Sequence, residues 1–286
     1  MAYLLLALHG LLIASFGLRI LLRDELRPDA RMGWLTVIVL LPYAGCLLYF
    51  LFGEAALRRH TLLPGRRRWP RLAQFAHTHL PQAAHELLAE DTARPPQAPL
   101  PVAWQAAFRY ASSVNGFRAL PGNQAELMAN GAQARARLLA DLDAAHTEID
   151  LLYYIWLDDH TGAGVAHALM RAARRGVRCR AMVDGLGSRA LLRSPLWREM
   201  QDAGVELAVA LPLDHPLKVL LTSRIDLRNH RKITLIDGRI AYCGSQNCAD
   251  EAFAVKASYA PWVDIMLRLQ GPVVTQTQLI FAADWM

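Results

Sequence analysis

Hydrophobic and polar positions follow three regimes along this chain. Ala2 to Leu18 is an apolar run broken only by His9, and Gly33 to Phe52 is a second run, twenty residues without a charge. A bilayer-spanning helix needs about 20 such residues. The pattern therefore predicts a two-helix transmembrane hairpin over residues 1–57, with Arg19 snorkelling at the end of the first helix. Pro42 falls inside the second run, where a kink is tolerable in a membrane helix. A cleaved signal peptide fits less well, because no basic segment precedes the first run and no small-residue cleavage site follows it.

Residues 58–103 read as a basic, proline-rich juxtamembrane linker. Pro64, Pro70, Pro81, Pro95, Pro96, Pro99 and Pro101 break any long helix. His77, His79 and His85 lie there without a cysteine or acidic partner at metal-ligand spacing, so a short polar helix is the better reading.

Residues 104–286 alternate between the two periods. Ala132 to Ala145 has a helical face of Leu138, Leu139 and Leu142. Ile149 to Leu157 is a strand run. Gly164 to Arg175 turns Val165, Leu169 and Ala173 inward and Arg171, Arg174 and Arg175 outward. Val177 to Asp184 and Val205 to Leu211 are strands on either side of a helix over Leu196 to Ala203. Strands separated by helices predict an α/β fold, a mixed sheet flanked by helices.

Composition agrees with this division. A chain of 286 residues that is 53% hydrophobic accommodates one membrane segment and one sizeable α/β domain. Charge then sets the orientation. The connector carries Arg23, Arg27 and Arg31 diluted by Asp24, Glu25 and Asp29, whereas Arg58, Arg59, Arg66, Arg67, Arg68 and Arg71 follow the second run. The positive-inside rule places that flank and the domain beyond it in the cytoplasm, in a multi-pass protein of the cytoplasmic membrane. The same arginines suit an anionic lipid surface better than nucleic acid, since they adjoin a membrane run and no aromatics interleave them. Cys46, Cys179, Cys243 and Cys248 form no C-x-x-C pair and are expected as reduced, packed thiols.

The chemistry lies in one stretch. Asn229-His230-Arg231-Lys232 enters a β-rich run ending at Asp237-Gly238, a hairpin turn signal, and the returning strand delivers Gly244-Ser245-Gln246-Asn247. Strand residues two apart share a face, so His230 and Lys232 project together and Arg231 points away. A neutral imidazole can attack phosphorus and an ammonium can hold the phosphoryl oxygens. Ser245 and Asn247 are the candidate phosphate ligands, and Gly244 permits close backbone approach. Asp184-Gly185-Leu186-Gly187-Ser188 leaves a strand where ligand loops often sit, but an ordinary glycine turn explains it as well. No dinucleotide or Walker fingerprint is present, and neither cofactor nor metal is expected.

The His230-x-Lys232-x4-Asp237 stretch resembles the H-K-D signature of the phospholipase D superfamily. Glu148 to Trp156, Gly176 to Ser188, Trp262-Val263-Asp264, Gly271-Pro272-Val273-Val274 and Phe281 to Trp285 resemble its bacterial cardiolipin synthase branch. The resemblance implies a phospholipase D-like domain over 104–286 and two-step phosphoryl transfer. His230 attacks a phospholipid diester to form a phosphohistidine, and a second lipid such as phosphatidylglycerol accepts the phosphatidyl group. Lys232 and Asn247 hold the non-bridging oxygens, assisted by Ser245. Asp264 is the expected acceptor for the far ring nitrogen of His230, with Glu251 as the alternative. Asp237 belongs to the signature and is expected to order the hairpin rather than do chemistry.

Members of this family build one site from two H-K-D motifs, and here the motif occurs once; His215-Pro216-Leu217-Lys218 has the wrong spacing. Three expectations stay open: the first half of a longer synthase, a single-motif protein completed by a homodimer partner, or an inactive remnant. The functional alternatives are a phosphodiesterase of the same superfamily, lipase or nuclease, with water as acceptor, and a non-catalytic membrane partner.

Overall fold

The computed structural model describes residues 2–23, 28–53, 101–115, 119–212, 228–253 and 261–286, with positions 26, 74, 117 and 257–259 besides. The proline-rich segment, its arginines and histidines, and the His215–Lys218 stretch lie outside the described residues, apart from Gln74, Pro101, Val102 and Ala103. Two units form, one N-terminal and one larger.

In the N-terminal unit, α1 spans Ala2–Leu21, α2 Pro28–Leu40 and α3 Pro42–Leu48. The second apolar run is therefore two helices, where one continuous span was expected. The cause is local. Pro42 has no N–H to donate and its ring excludes the preceding turn, so Leu41 is pushed out of the helical region to φ −132°, ψ 71° and a new helix starts at the proline. Ile20, Ile38, Cys46 and Tyr49 form the buried centre of the unit, with Phe16 and Trp34 edge-on to Tyr49 at 5.9 and 5.4 Å. Leu18, Leu22, Val39, Leu41 and Leu47 remain exposed. Among the described residues no helix is long and apolar enough to cross a membrane; the side chains of residues 1–8 are outside that set.

The larger unit is an α/β sandwich around a seven-stranded sheet. A further helix, α4 (Val102–Asn115), precedes it. The strands are β1 (Gln124–Leu127), β2 (Glu148–Tyr153), β3 (Arg178–Asp184), β4 (Glu206–Ala210), β5 (Ile233–Ile236), β6 (Ile240–Gly244) and β7 (Met266–Gln270). They are ordered β1-β7-β6-β5-β2-β3-β4. β2, β3 and β4 run parallel, and the remaining pairings are antiparallel. Helices α5 (Gly131–Asp143), α6 (His160–Arg174) and α7 (Pro195–Asp202) connect or flank them, and α8 (Pro272–Trp285) ends the chain.

The starts of α5, α6 and α7 coincide with capping or proline signals in the sequence. Asn130 accepts from Gln133 N at the start of α5, and Asp159 accepts from Gly162 N at the start of α6. Pro195 occupies the first turn of α7. The sheet is covered on both faces, so β2 is buried at every position. Leu138, Leu142, Val165 and Leu169 pack with Ile149, Leu151 and Tyr153 on one face, while Val274 and Phe281 of α8 pack with Leu152, Ile233 and Leu235 on the other. Each large side chain buried this way contributes roughly 1.5–3 kcal/mol. Between β2 and β3, Asp150 accepts two hydrogen bonds from Arg180, at 2.7 and 2.8 Å.

The β5–β6 hairpin turns at Asp237 and Gly238, whose φ angles are 51° and 62°. Both are the left-handed values of a primed turn, which aspartate and glycine adopt most readily. The Asp237 carboxylate reaches across to the start of β2. It accepts from the amides of His146, Thr147 and Glu148 at 3.0, 2.7 and 3.1 Å and from the Thr147 hydroxyl at 2.9 Å. Burial raises the pKa of this carboxyl, but the amides outweigh it and the group titrates below the usual carboxylate range. A depressed folded pKa means that the stabilisation is present above the unfolded pKa of about 3.9 and is lost as pH falls through the folded value. Asp237→Asn is expected to cost about 1 kcal/mol at pH 7 in urea denaturation, with the gap closing in acid. A gap independent of pH contradicts the assignment.

Candidate active site

The topology gathers the motif residues at one edge of the sheet. β5 runs antiparallel to β2, with Ile233 opposite Leu152, so the entry to β5 lies beside the exit of β2. β3 ends at the same edge, β6 ends there with Cys243 opposite Ile233, and β7 begins there with Met266 opposite Gly244. Loops at the carboxyl ends of parallel strands are the usual place for ligands in open α/β sheets.

The segment entering β5 is tied on alternating sides. Arg228 donates to both Asp184 oxygens at 3.0 and 3.1 Å and to the Leu211 carbonyl at 2.6 Å; the Arg228 and Asp184 side chains are 4% and 0% exposed. Asn229 and Arg231 both donate to Asp284 Oδ2 of α8, at 3.0 and 2.6 Å. His230 lies between them with its ring stacked on Tyr154, centroids 3.9 Å apart and planes 19° from parallel. Lys232 Nζ donates to the His230 carbonyl at 2.8 Å and lies 5.7 Å from the centre of the same Tyr154 ring. His230 and Lys232 therefore share a face and Arg231 points away, as the strand periodicity requires. Burial lowers the pKa of Lys232, while the nearby Asp264 carboxylate opposes that shift.

The residues after β6 fix the opposite wall. Ser245 Oγ donates to Asp264 Oδ1 at 2.7 Å and accepts from Ile265 N at 2.9 Å. A Cβ at Gly244 would collide with the Ile265 carbonyl, so only glycine fits this approach. Asn247 Oδ1 accepts from Ile155 N at 3.1 Å, leaving its Nδ2 without a hydrogen bond to any described residue. Asp250 caps the start of α6 through the Thr161 amide and hydroxyl at 2.8 and 2.5 Å.

The expected site residues thus separate into groups. His230, Lys232, Asn247, Ser245 and Asp264 collect at one edge. Asp237 is at the other edge, about five strand residues or roughly 16 Å from Lys232, and it orders the hairpin. Asp264 binds Ser245, and no hydrogen bond joins it to the His230 ring. Glu251 faces Arg135 at 3.7 Å.

Sequence reading missed Tyr154 and Asp284. Tyr154 follows the last residue of β2 inside an apolar run, where only the strand end distinguishes it from the buried Tyr153. The Asp184–Ser188 loop supports it: Ser188 Oγ donates to the Tyr154 carbonyl at 3.0 Å, and a Cβ at Gly187 would strike the Tyr154 ring. Asp284 meets partners that are 55 and 53 positions away in the chain.

The family described as cardiolipin synthase, PLD-like domain, matches residues 138–285, and that described as phospholipase D-nuclease N-terminal matches residues 12–54. Cardiolipin synthase A of Edwardsiella ictaluri is 38% identical over 278 residues, which cover 97% of this chain and 54% of that protein. Cardiolipin synthase A of Erwinia tasmaniensis is 37% identical over 286 residues, covering 100% and 56%. The chain spans about half the length of these relatives. Among solved structures, Nuc of Salmonella typhimurium, a phospholipase D family member, is 19% identical with a TM-score of 0.42, covering 57% of this chain and 95% of that one.

Removing the double anchor beside His230 gives a direct test of the site's rigidity. Asp284→Ala is expected to speed amide hydrogen exchange over residues 229–232 by about tenfold or more, since hydrogen bonds to a charged group contribute about 1.5–3 kcal/mol. Unchanged exchange there contradicts the role given to Asp284.

Proposed function

Because the chain belongs to the cardiolipin synthase, PLD-like domain family, we propose that it supplies one half-site of a phosphatidyltransferase that joins two phosphatidylglycerol molecules. The observation that carries this reading is the His230 ring lying flat on Tyr154 with the Lys232 ammonium on the same face. Stacking fixes the plane of the imidazole while leaving its in-plane lone pair free to attack.

In the first step a His230 ring nitrogen attacks the phosphorus of one phosphatidylglycerol. The P–N bond forms, the P–O bond to the departing glycerol breaks, and a general acid from the second half-site protonates that oxygen. In the second step the terminal hydroxyl of another phosphatidylglycerol gives its proton to the same group and attacks phosphorus. A P–O bond forms as the P–N bond breaks. Lys232 and the Nδ2 of Asn247 hold the non-bridging oxygens where negative charge concentrates. Ser245 holds Asp264, which accepts from the far ring nitrogen once substrate is in place; hydrogen bonds of this kind are often loose in a free site. Electrostatic support therefore comes from side chains and calls for no metal or cofactor.

The second half-site comes from a further H-K-D domain or from another copy of this chain. Hydrolysis is the second reading, favoured by the exposure of His230: unless the partner half covers the site, water competes with the lipid hydroxyl.

The same reading divides the chain into a membrane unit over 1–57, a basic linker over 58–103 and the catalytic unit over 104–286. The exposed leucines and valine of the N-terminal unit support seating it in the cytoplasmic membrane as a transmembrane hairpin, and the arginine flank supports a cytoplasmic catalytic unit.

Product analysis tests the proposal. Detergent-purified protein, alone where a second copy completes the site and with the second H-K-D domain supplied otherwise, is expected to convert phosphatidylglycerol to cardiolipin and glycerol, with His230→Ala lowering the rate by several orders of magnitude. Phosphatidic acid as the main product supports hydrolysis. Turnover that survives His230→Ala removes His230 as the nucleophile.

A further inference from the structure

Asp184 ends β3 fully buried, and it has two sets of partners. One set is the loop that follows it. Its Oδ1 accepts from Leu186 N at 2.9 Å and Gly187 N at 3.0 Å, and its carbonyl accepts from Ser188 N at 3.0 Å. The loop so held lies against the exit of β2. Ser188 Oγ donates to the Tyr154 carbonyl at 3.0 Å and accepts from Trp156 N at 2.9 Å, and Gly187 passes too close to Tyr154 for a side chain. The other set is the Arg228 guanidinium, two residues before His230. Its Nε reaches both Asp184 oxygens, at 3.0 and 3.1 Å, and its Nη2 donates to the Leu211 carbonyl at 2.6 Å. Leu211 follows β4 with a φ of 49°, a left-handed conformation that is costly for leucine and persists only where its surroundings impose it. Arg228 therefore joins the end of β3, the end of β4 and the entry to β5.

We infer that Asp184 and Arg228 are a positioning pair for the reaction. One buried carboxylate registers both members of the Tyr154–His230 stack, the platform through the 185–188 loop and the imidazole through Arg228. The inference rests on the transfer reading above and deepens it by naming what aligns the nucleophile. Two arguments favour alignment over stability alone. A buried ion pair gains little net stability over apolar side chains of the same volume, because both charges lose their water. The bonds of this pair also end at the catalytic edge, on the loop beneath the platform and on the strained Leu211. A ring displaced by about 1 Å from its reacting geometry loses roughly a hundredfold in rate, so a pair that fixes both members of the stack acts on the chemistry without touching substrate.

The test uses the full chain, with the second half-site present as in the product assay, carrying Asp184→Asn/Arg228→Met. This double replacement removes both charges, fills the space and keeps an acceptor for the Leu186 and Gly187 amides, but it cuts the link to the His230 segment. The unfolding midpoint is expected to stay close to that of the unaltered chain. Amide exchange is expected to rise about tenfold or more over residues 229–232 and to stay unchanged over 185–188. Single-turnover formation of the phosphorus adduct on His230 is expected to fall roughly a hundredfold. A folded variant that forms the adduct within about threefold of the unaltered rate overturns the inference, because a pair that serves stability alone leaves the chemistry intact. Unchanged exchange over 229–232 overturns it as well.

Chemical rescue supplies the second measurement and decides the matter where the double replacement unfolds. Arg228→Ala leaves a space beside the buried carboxylate that ethylguanidinium fits. Added ethylguanidinium is expected to restore adduct formation saturably in Arg228→Ala and not in Asp184→Asn/Arg228→Ala, where the charge that receives it is gone. No recovery in Arg228→Ala, or equal recovery in both, overturns the inference. Faster exchange over 229–232 in the double replacement, in a chain whose unaltered form turns over no diester, upholds the anchor and counts against the transfer reading.

Discussion

The nucleophilic role proposed for His230 requires a ring that is held still with a lone pair left free, and the geometry around His230 satisfies both demands. Stacking on Tyr154 fixes the plane and leaves both ring nitrogens open, one to face phosphorus and the other an acceptor. The backbone is fixed from the other side. Arg228 enters the buried Asp184 site, Asn229 and Arg231 share one Asp284 oxygen, and Lys232 returns to the His230 carbonyl. Every neighbour of the histidine is bonded, so the ring is located without being spent.

The same constraint explains why the signature extends so far beyond the reacting groups. Asp237 is no ligand for phosphate; it joins the β5–β6 turn to the start of β2, and the β2–β5 pairing determines where Tyr154 and His230 meet. Gly187 and Ser188 act at one remove, by allowing and holding Tyr154. Gly244 and Ser245 act likewise on Asp264. The active edge is a set of loop ends registered by a sheet, so residues at its far side matter through strand pairing rather than through contact.

Much of this was legible in the chain because short-range rules suffice for it. The β-branched run before Asp237-Gly238 specifies a hairpin, and the leucine spacing in Ala132–Ala145 and Gly164–Arg175 specifies helices that cover a sheet. The face shared by His230 and Lys232 follows from strand period alone. Other features depend on partners far apart in sequence. β1 is four exposed residues whose only reason to be a strand is the edge of β7. Asp284 carries no local signal for Asn229 or Arg231. Tyr154 and Tyr153 are adjacent and alike, yet the Tyr153 hydroxyl is buried against Thr234 while Tyr154 is the platform of the site. At Pro42 hydropathy alone predicts one span, whereas the missing N–H and the restricted Leu41 divide the run into two helices.

The central claim is that His230 forms the covalent bond to phosphorus. Rapid quench of the protein with phosphatidylglycerol, followed by digestion and mass spectrometry under alkaline conditions that preserve phosphohistidine, tests it most directly. The account predicts a phosphorus adduct on His230, with or without its acyl chains, whose P–N bond survives mild base, is cleaved by acid and is absent in His230→Ala. Turnover accompanied by an adduct on another residue, or by none under conditions where phosphohistidine survives, contradicts it.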